Sequence, residues 1–364
     1  MNRRESNRAK RWYDVIIQLL LAILHFLLRL IAILSRAKGE ISWTPGSPAG
    51  EGTAERIFAL AVDRSNRAHL VYLADGSLLY SWWTGDTWQP PEVVERRAEP
   101  VQSPALAFDT AGNLHLVFVA GGTVYHKVRN GRGWPAAVEI NSGFLPGQTT
   151  LVASGDTLHL AYQMDQSLMV AVLGSDGWQS ETAVAGVGCL FFHDLAIGRD
   201  GRLHVVYNDP QGQALHYTVK TAAGWQEPQV ILTGSDDRLG EYNSLALDRN
   251  GRPHVGFQAD NQLQHARLGN GAWEVTAIEA TEKGGYFNQI VLLDGKRPGI
   301  TYHDASGSGS LHFAHQVEAE WKTEVLDSAD AVGESAVMAL GRGGRPQVAY
   351  YDHANSAIKM IIGN

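Results

Sequence analysis

From residue 50 onward the chain repeats one order of apolar and polar positions. An apolar strand is followed by a Gly/Asn/Asp turn, a second strand ending in an aromatic, a polar loop, a third strand, then a turn and a Trp. Each copy predicts a four-stranded unit. The strand-two aromatics are Tyr72, Phe118, Tyr162, Tyr207, Phe257, Tyr302 and Tyr350, with intervals of 46, 44, 45, 50, 45 and 48 residues. That period predicts the blades of a β-propeller, seven in number. The second strands read HLVY at His69–Tyr72, HLVF at His115–Phe118, HLAY at His159–Tyr162, HVVY at His204–Tyr207 and HVGF at His254–Phe257. GITY and QVAY end at Tyr302 and Tyr350 without the His. These strands are apolar on both faces, as expected for sheets sandwiched between neighbours.

Trp88, Trp134, Trp178, Trp225, Trp273 and Trp321 mark the fourth strands, six Trp for seven aromatics. Trp43 stands 29 residues before Tyr72, and the other intervals from a Trp to the next aromatic are 28 to 32. The spacing therefore predicts that residues 41–43 supply the outer strand of the last blade, tying the two chain ends together and removing an open edge. The expected class is all-β, a seven-bladed propeller over 39–364 with one N-terminal α-helix within 1–38.

That helix is Val15–Leu34, twenty predominantly apolar residues, which at about 1.5 Å each span roughly the hydrocarbon thickness of a bilayer. Its polar members are not scattered. At 100° per residue Gln18, His25 and Arg29, with Asp14 and Arg36 at the ends, fall within about 60° of one another, a stripe that seeks another helix, water or a headgroup. Five basic residues precede the segment, against Arg36 and Lys38 after it, so a cytoplasmic N-terminus with the propeller outside the cytoplasm is the orientation expected of an anchor. An in-plane helix on the cytoplasmic face and a cleaved signal are the alternatives. The stripe also offers a surface for homo-oligomerisation.

Charge sharpens the division. Residues 1–38 hold eight Lys/Arg against Glu5 and Asp14, a surplus of six, and this leaves the remainder at −14 within a total of −8. A body so acidic is a poor partner for nucleic acid, whereas the basic N-terminus suits an anionic membrane. With Cys189 as the one cysteine, no intrachain disulfide forms and packing must supply the stability.

The last blade, YYDHANSAIKM from Tyr350 to Met360, resembles the Y-Y-D-x-x-N-x-x-L-K-Y repeat of bacterial sialidase-like propellers. The turns GRPHV at Gly251–Val255 and GRPQV at Gly344–Val348 resemble its preceding G-x-P-H-V. The resemblance covers roughly residues 40–361 and implies the fold. It transfers no catalytic residue, because such repeats serve many functions. Asp63, Asp109 and Asp248 stand in hairpin turns comparable with Asp-box turns, but these turns continue to His rather than Trp.

The strand-two histidines recur at the same strand position in five blades, which predicts a structural bond to a turn carbonyl rather than a metal site, and the recurring Trp predict packing on the adjoining blade. Asp75, Asp165, Asp209, Asp260, Asp304 and Asp352 follow the strand-two aromatics, where Asp favours turns by bonding its own backbone. No cofactor is expected, although an acidic rim leaves structural Ca open. Two inter-blade loops break the repeat: Ala185–Leu195, with Phe192, His193 and Asp194, and Thr233–Ser244, with Asp236, Asp237, Glu241 and Tyr242. Aromatic plus carboxylate is a common sugar-binding composition, so these seven residues are the candidate ligand site. The expected function is a membrane-tethered, non-enzymatic binding or scaffold protein for a glycan or protein. A glycoside hydrolase or lyase using loop carboxylates, and a sensor whose ligand drives association of the striped helices, stay open.

Overall fold

The computed structural model describes residues 41–131, 133–187, 192–209, 213–234, 238–279 and 283–364, together with Ile17, Leu20, Leu21, Ile23, Leu24 and Leu27. Those six are helical, with exposed side chains. The expectations for Gln18, His25 and Arg29 lie outside the described residues. Among the described residues no helix is long and apolar enough to cross a membrane.

The chain forms two compact units, 1–44 with 363–364, and 45–362. In the first, Asn364 donates from its backbone N to Ser42 O at 2.8 Å and from Nδ2 to Thr44 Oγ1 at 3.1 Å.

The second unit is a seven-bladed propeller of antiparallel sheets. The innermost strands of blades 1 to 7 are Ala54–Val62, Val101–Phe108, Phe144–Ser154, His193–Ile197, Glu241–Leu247, Tyr286–Leu293 and Val332–Leu340. Each neighbours the inner strand of the next blade, and the last returns to the first. The second strands follow as Ala68–Ala74, Leu114–Ala120, Thr157–Met164, Leu203–Asp209, Pro253–Ala259, Arg297–Asp304 and Pro346–Asp352. In blades 1, 2, 5 and 7 every residue of that strand is buried, as the two-sided apolar pattern requires. In blade 4 the outer strand is split into Gly224–Trp225 and Gln229–Thr233, both pairing with Ala214–Thr221.

The second unit begins at Pro45 on the outer side of the last blade. Just beyond, Gly46 N donates to Met360 O, and Ala49 and Ile358 exchange both backbone hydrogen bonds, at 2.8 and 2.9 Å.

The core lies between blades. Val71, Leu78 and Tyr80 of blade 1 pack with Leu116 and Phe118 of blade 2, and equivalent clusters follow around the ring. The ring closes where Phe58, Leu70 and Tyr72 meet Ala349, Tyr351 and Ile358. The repeated Trp pack on the preceding blade's third strand: Trp134 on Tyr80, Trp178 on His126, Trp273 on Tyr217 and Trp321 on His265, with centroids 5.1 to 5.4 Å apart.

Four of the strand-two histidines, His69, His115, His204 and His254, are buried, and their partners are side chains rather than turn carbonyls, while His159 is half-buried and its Nδ1 has no hydrogen-bond partner. His69 bonds Tyr80 Oη at 2.7 Å and Asp63 at 3.3 Å, and His115 bonds His126 at 3.1 Å and Asp109 at 3.2 Å. His204 and His254 meet Tyr217 and His265 in the same way. The reason lies in the turn: the Asp carboxylate already accepts the turn's amides, and its second oxygen faces the ring.

Candidate functional site

The inner strands do not run straight to the axis. In blades 2, 5, 6 and 7 their pairing with the second strand shifts at a bulge, between Gln102/Ala105, Glu241/Ser244, Tyr286/Gln289 and Glu334/Val337. Ser103, Tyr242, Phe287 and Ser335 occupy the same place in these bulges with φ of 46°, 51°, 48° and 54°. Left-handed backbone is uncommon for any side chain other than Gly and costly for an aromatic one. A bulge re-aims the side chain it carries. Here the bulges border an axial pocket of about 450 Å³ lined by all seven inner strands.

Around that pocket the corresponding positions read Ile57, Ser103, Gln148, Phe192, Tyr242, Phe287 and Ser335. Three successive blades, the fourth to the sixth, therefore place aromatic rings side by side. Ring centroids are 4.4 Å apart for Phe192 and Tyr242 and 4.6 Å for Tyr242 and Phe287, and Tyr286 flanks Tyr242 at 5.6 Å. All four rings are half-buried. Arg238 bonds Tyr286 Oη at 2.7 Å and holds the edge of this arc. The rest of the ring is Ile57 with the polar Ser103, Gln148 and Ser335. There Arg56, 65% exposed, lies 3.4 Å from Glu334, which also meets His353 Nε2 at 2.9 Å. Burial alone would raise the Glu334 carboxyl, but the His353 hydrogen bond and nearby positive charge hold it below the usual range.

The two loops singled out from sequence do converge here in part. Phe192, His193, Asp194 and Tyr242 all line the axial pocket. His193 is only 1% exposed, and neither ring nitrogen makes a hydrogen bond of good geometry. Burial pushes its pKa down to about 4, with a smaller opposing pull from the Ala161 backbone. Asp194 keeps partial access to the pocket but sits deep in protein. Desolvation raises it to about 6, against hydrogen bonds from the Leu245 and Leu195 amides, 2.7 and 2.8 Å, and from Thr150. Asp194 thus joins blades 3, 4 and 5. Glu241 pairs with Gln258 at the head of its strand and is not among the residues lining the pocket. Asp236 and Asp237 lie outside the described residues. Burial raises the Tyr242 hydroxyl to about 12, so it is neutral throughout the physiological range.

Inter-blade polar contacts brace the arc. Asn243 Nδ2 donates to Phe192 O and Gly240 O at 3.1 and 2.9 Å, and Ser244 Oγ donates to Asn288 Oδ1 at 2.9 Å. Gln148 Oε1 accepts from His193 N at 3.4 Å. Asp194 is the one carboxylate lining the pocket among the described residues, so no facing carboxylate pair is assembled there. Nor do three His, Cys, Asp or Glu side chains gather as a metal site among the described residues. The rim acids serve turns: Asp75, Asp165 and Asp260 take positive φ, while Asp304 and Asp352 are buried and accept the Ser306 and Asn355 amides.

Sequence reasoning missed Phe287, Asn243, Asn288 and Arg56. A signal for Phe287 existed. Ile57, Ser103, Phe192, Tyr242, Phe287 and Ser335 each stand 15 residues before their strand-two aromatic, and Gln148 stands 14 before Tyr162. Reading that column around the ring exposes the three aromatics.

No protein-family model matches the sequence, and no curated protein sequence matches it. Solved structures do match its fold. BP39L lectin from Burkholderia pseudomallei superposes with a TM-score of 0.63 at 16% identity, over 84% of this chain and 97% of its own. A PL25 polysaccharide lyase, an ulvan lyase, gives 0.63 at 12% identity over 87% and 95%. AofleA from Arthrobotrys oligospora gives 0.53 at 13% identity over 79% and 91%. At these identities the likeness is one of fold: the chain is an all-β seven-bladed propeller with lectins and a polysaccharide lyase among its structural neighbours.

Proposed function

We propose that this chain is a non-enzymatic glycan-binding propeller that seats one saccharide unit in the axial pocket, with an apolar sugar face against Phe192, Tyr242 and Phe287 and its hydroxyls toward the polar sector. The observation that carries the reading is the aromatic arc, built at corresponding positions on three successive blades, with the rings of blades 5 and 6 carried on bulges and held at left-handed backbone. Backbone strain kept at a cavity mouth is a signature of a functional site. A pocket of about 450 Å³ is also within the range of small-ligand sites. Lectins among the neighbours of the same fold support the reading, and a propeller axis is a ready-made concavity. Asp236 and Asp237, on the loop between blades 4 and 5, and Glu241, at the head of the strand that follows, would flank the entrance. The helix Val15–Leu34 would hold the propeller at a membrane, outside the cytoplasm, with Gln18, His25 and Arg29 facing a partner helix or headgroups.

The test is a glycan panel applied to the full chain. Tyr242→Ala and Phe287→Ala should each weaken capture about tenfold or more while leaving the protein folded. A parallel assay for shortened product glycans separates binding from cleavage. Normal glycan capture by both variants, or release of cleaved product by the wild type, overturns the proposal.

A further inference from the structure

At the opposite ends of the inner strands a second cavity, about 490 Å³, lies between blades 1 and 2 and is bounded by the blade 3 turn at Gly155. Its walls carry Arg64, Arg67 and Arg129 against Asp63 and Asp109. The two carboxylates are already satisfied from within. Asp63 accepts the Ser65 and Arg67 amides at 2.8 and 2.9 Å and Arg67 Nε at 2.7 Å, and meets His69 at 3.3 Å. Asp109 accepts Asn113 N and Nδ2, each at 2.7 Å, and meets His115 at 3.2 Å.

The guanidinium groups are only partly engaged. Arg64 is exposed and forms no ion pair among the described residues. Arg129 donates one Nη to Glu92 at 2.8 Å, and its Nε has no hydrogen-bond partner. Its guanidinium lies 4.8 Å from the Tyr80 ring centroid and 5.5 Å from that of Trp82, which fixes its plane before any ligand arrives. Phe108, half-buried and edge-on to His69 at 4.8 Å, adds an apolar surface to the same cavity. The fixed Arg129 guanidinium beside the exposed Arg64, with internally satisfied carboxylates, favours an oxyanion, and the volume suits one carried on a ring rather than a bare inorganic ion.

We propose that this inter-blade cleft is a second binding site, on the face opposite the axial pocket, for a saccharide-sized ring bearing phosphate, sulfate or carboxylate. Arg64 and Arg129 hold the anionic group, and Phe108 lies under the ring.

Calorimetric titration of the full chain with glucose 6-phosphate, inorganic phosphate and glucose, at constant ionic strength, tests it. Saturable binding of glucose 6-phosphate is expected, with inorganic phosphate at least tenfold weaker. Arg64→Ala and Arg129→Met should each weaken the ester about tenfold, and Tyr242→Ala, in the axial pocket, should leave its affinity unchanged. Because Arg64 is exposed, its variant reports on binding without disturbing the blade. The proposal is overturned by absence of saturable binding, by glucose binding as tightly as its phosphate ester, by indifference to Arg64→Ala, or by loss of binding in Tyr242→Ala.

Discussion

A tyrosine at φ of 51° and a phenylalanine at 48° are residues in the wrong backbone conformation for their side chains. The strain is local and has a measurable sign. Replacing Tyr242 with Ala removes the ring yet keeps a Cβ in the left-handed region, whereas Gly removes both. Tyr242→Gly should therefore be more stable than Tyr242→Ala by about 1 kcal/mol, the reverse of the usual order inside a strand. Urea unfolding of the two variants reads the difference directly. Equal stabilities, or a less stable Gly variant, would mean that the bulge relaxes without strain, and the main argument for a purposeful arc would weaken. Asp194 makes a complementary point. The composition of its loop marks it as a ligand residue, and its carboxylate also accepts amides from blades 4 and 5 and a hydrogen bond from the Thr150 side chain of blade 3. Those bonds join residues up to 51 positions apart, a separation at which sequence carries no register.

At the scale of strands, legibility followed burial. The second strand was readable because both its faces are covered, so every position from Ala68 to Ala74 or Leu114 to Ala120 is constrained to be apolar or to find a buried partner. The inner strand was not, because its bulges change which residue faces the axis, and nothing in the apolar pattern reports a bulge. The histidines sit between these cases: their recurrence revealed a structural role, while the ring partners on strand three emerged only from the pairing of His69 with Tyr80 or His254 with His265. That network makes the fold acid-sensitive. Burial lowers His126, His204 and His254 to about 4, and His265 to about 3 with help from His254 and Arg267. Groups with folded pKa below the unfolded value of about 6.5 take up protons preferentially when unfolded, so stability falls as pH drops from 6.5 toward 4. Asp194, raised to about 6, acts in the opposite sense, since the folded state then binds its proton more tightly as pH falls through 6. Four strand histidines outweigh one carboxyl, and thermal unfolding at pH 4.5 should begin well below its onset at pH 7. A melting temperature that stays level or rises across that interval would show that these rings are not buried neutral.

For the propeller as a whole, the weak place is the closure between blades 7 and 1. Elsewhere one blade follows another along the chain, but here Phe58, Leu70 and Tyr72 pack on Ala349, Tyr351 and Ile358, across nearly the full length of the sequence. Tyr351 Oη donates to Ala54 O at 3.0 Å, and Gln347 Nε2 donates to Asn66 O at 3.1 Å, so side chains already bridge the seam. The outer edge of the last blade is covered by the segment after Pro45, through Gly46 to Met360 and the paired Ala49 and Ile358. An uncovered edge strand exposes unpaired backbone groups and invites association with another chain. We expect residues 41–46 to act as a strap on blade 7, as the Trp43 spacing suggests. Deleting 1–36 should then leave the melting temperature of the propeller unchanged. Deleting 1–46 should lower it by several degrees, since each backbone hydrogen bond lost contributes about 1 kcal/mol and the ring is already long-range in its contacts. It should also increase self-association, read by light scattering, through the exposed Ala357–Gly363 edge. If both truncations melt together and scatter light alike, the side-chain seam alone closes the ring and the N-terminal segment is dispensable to it.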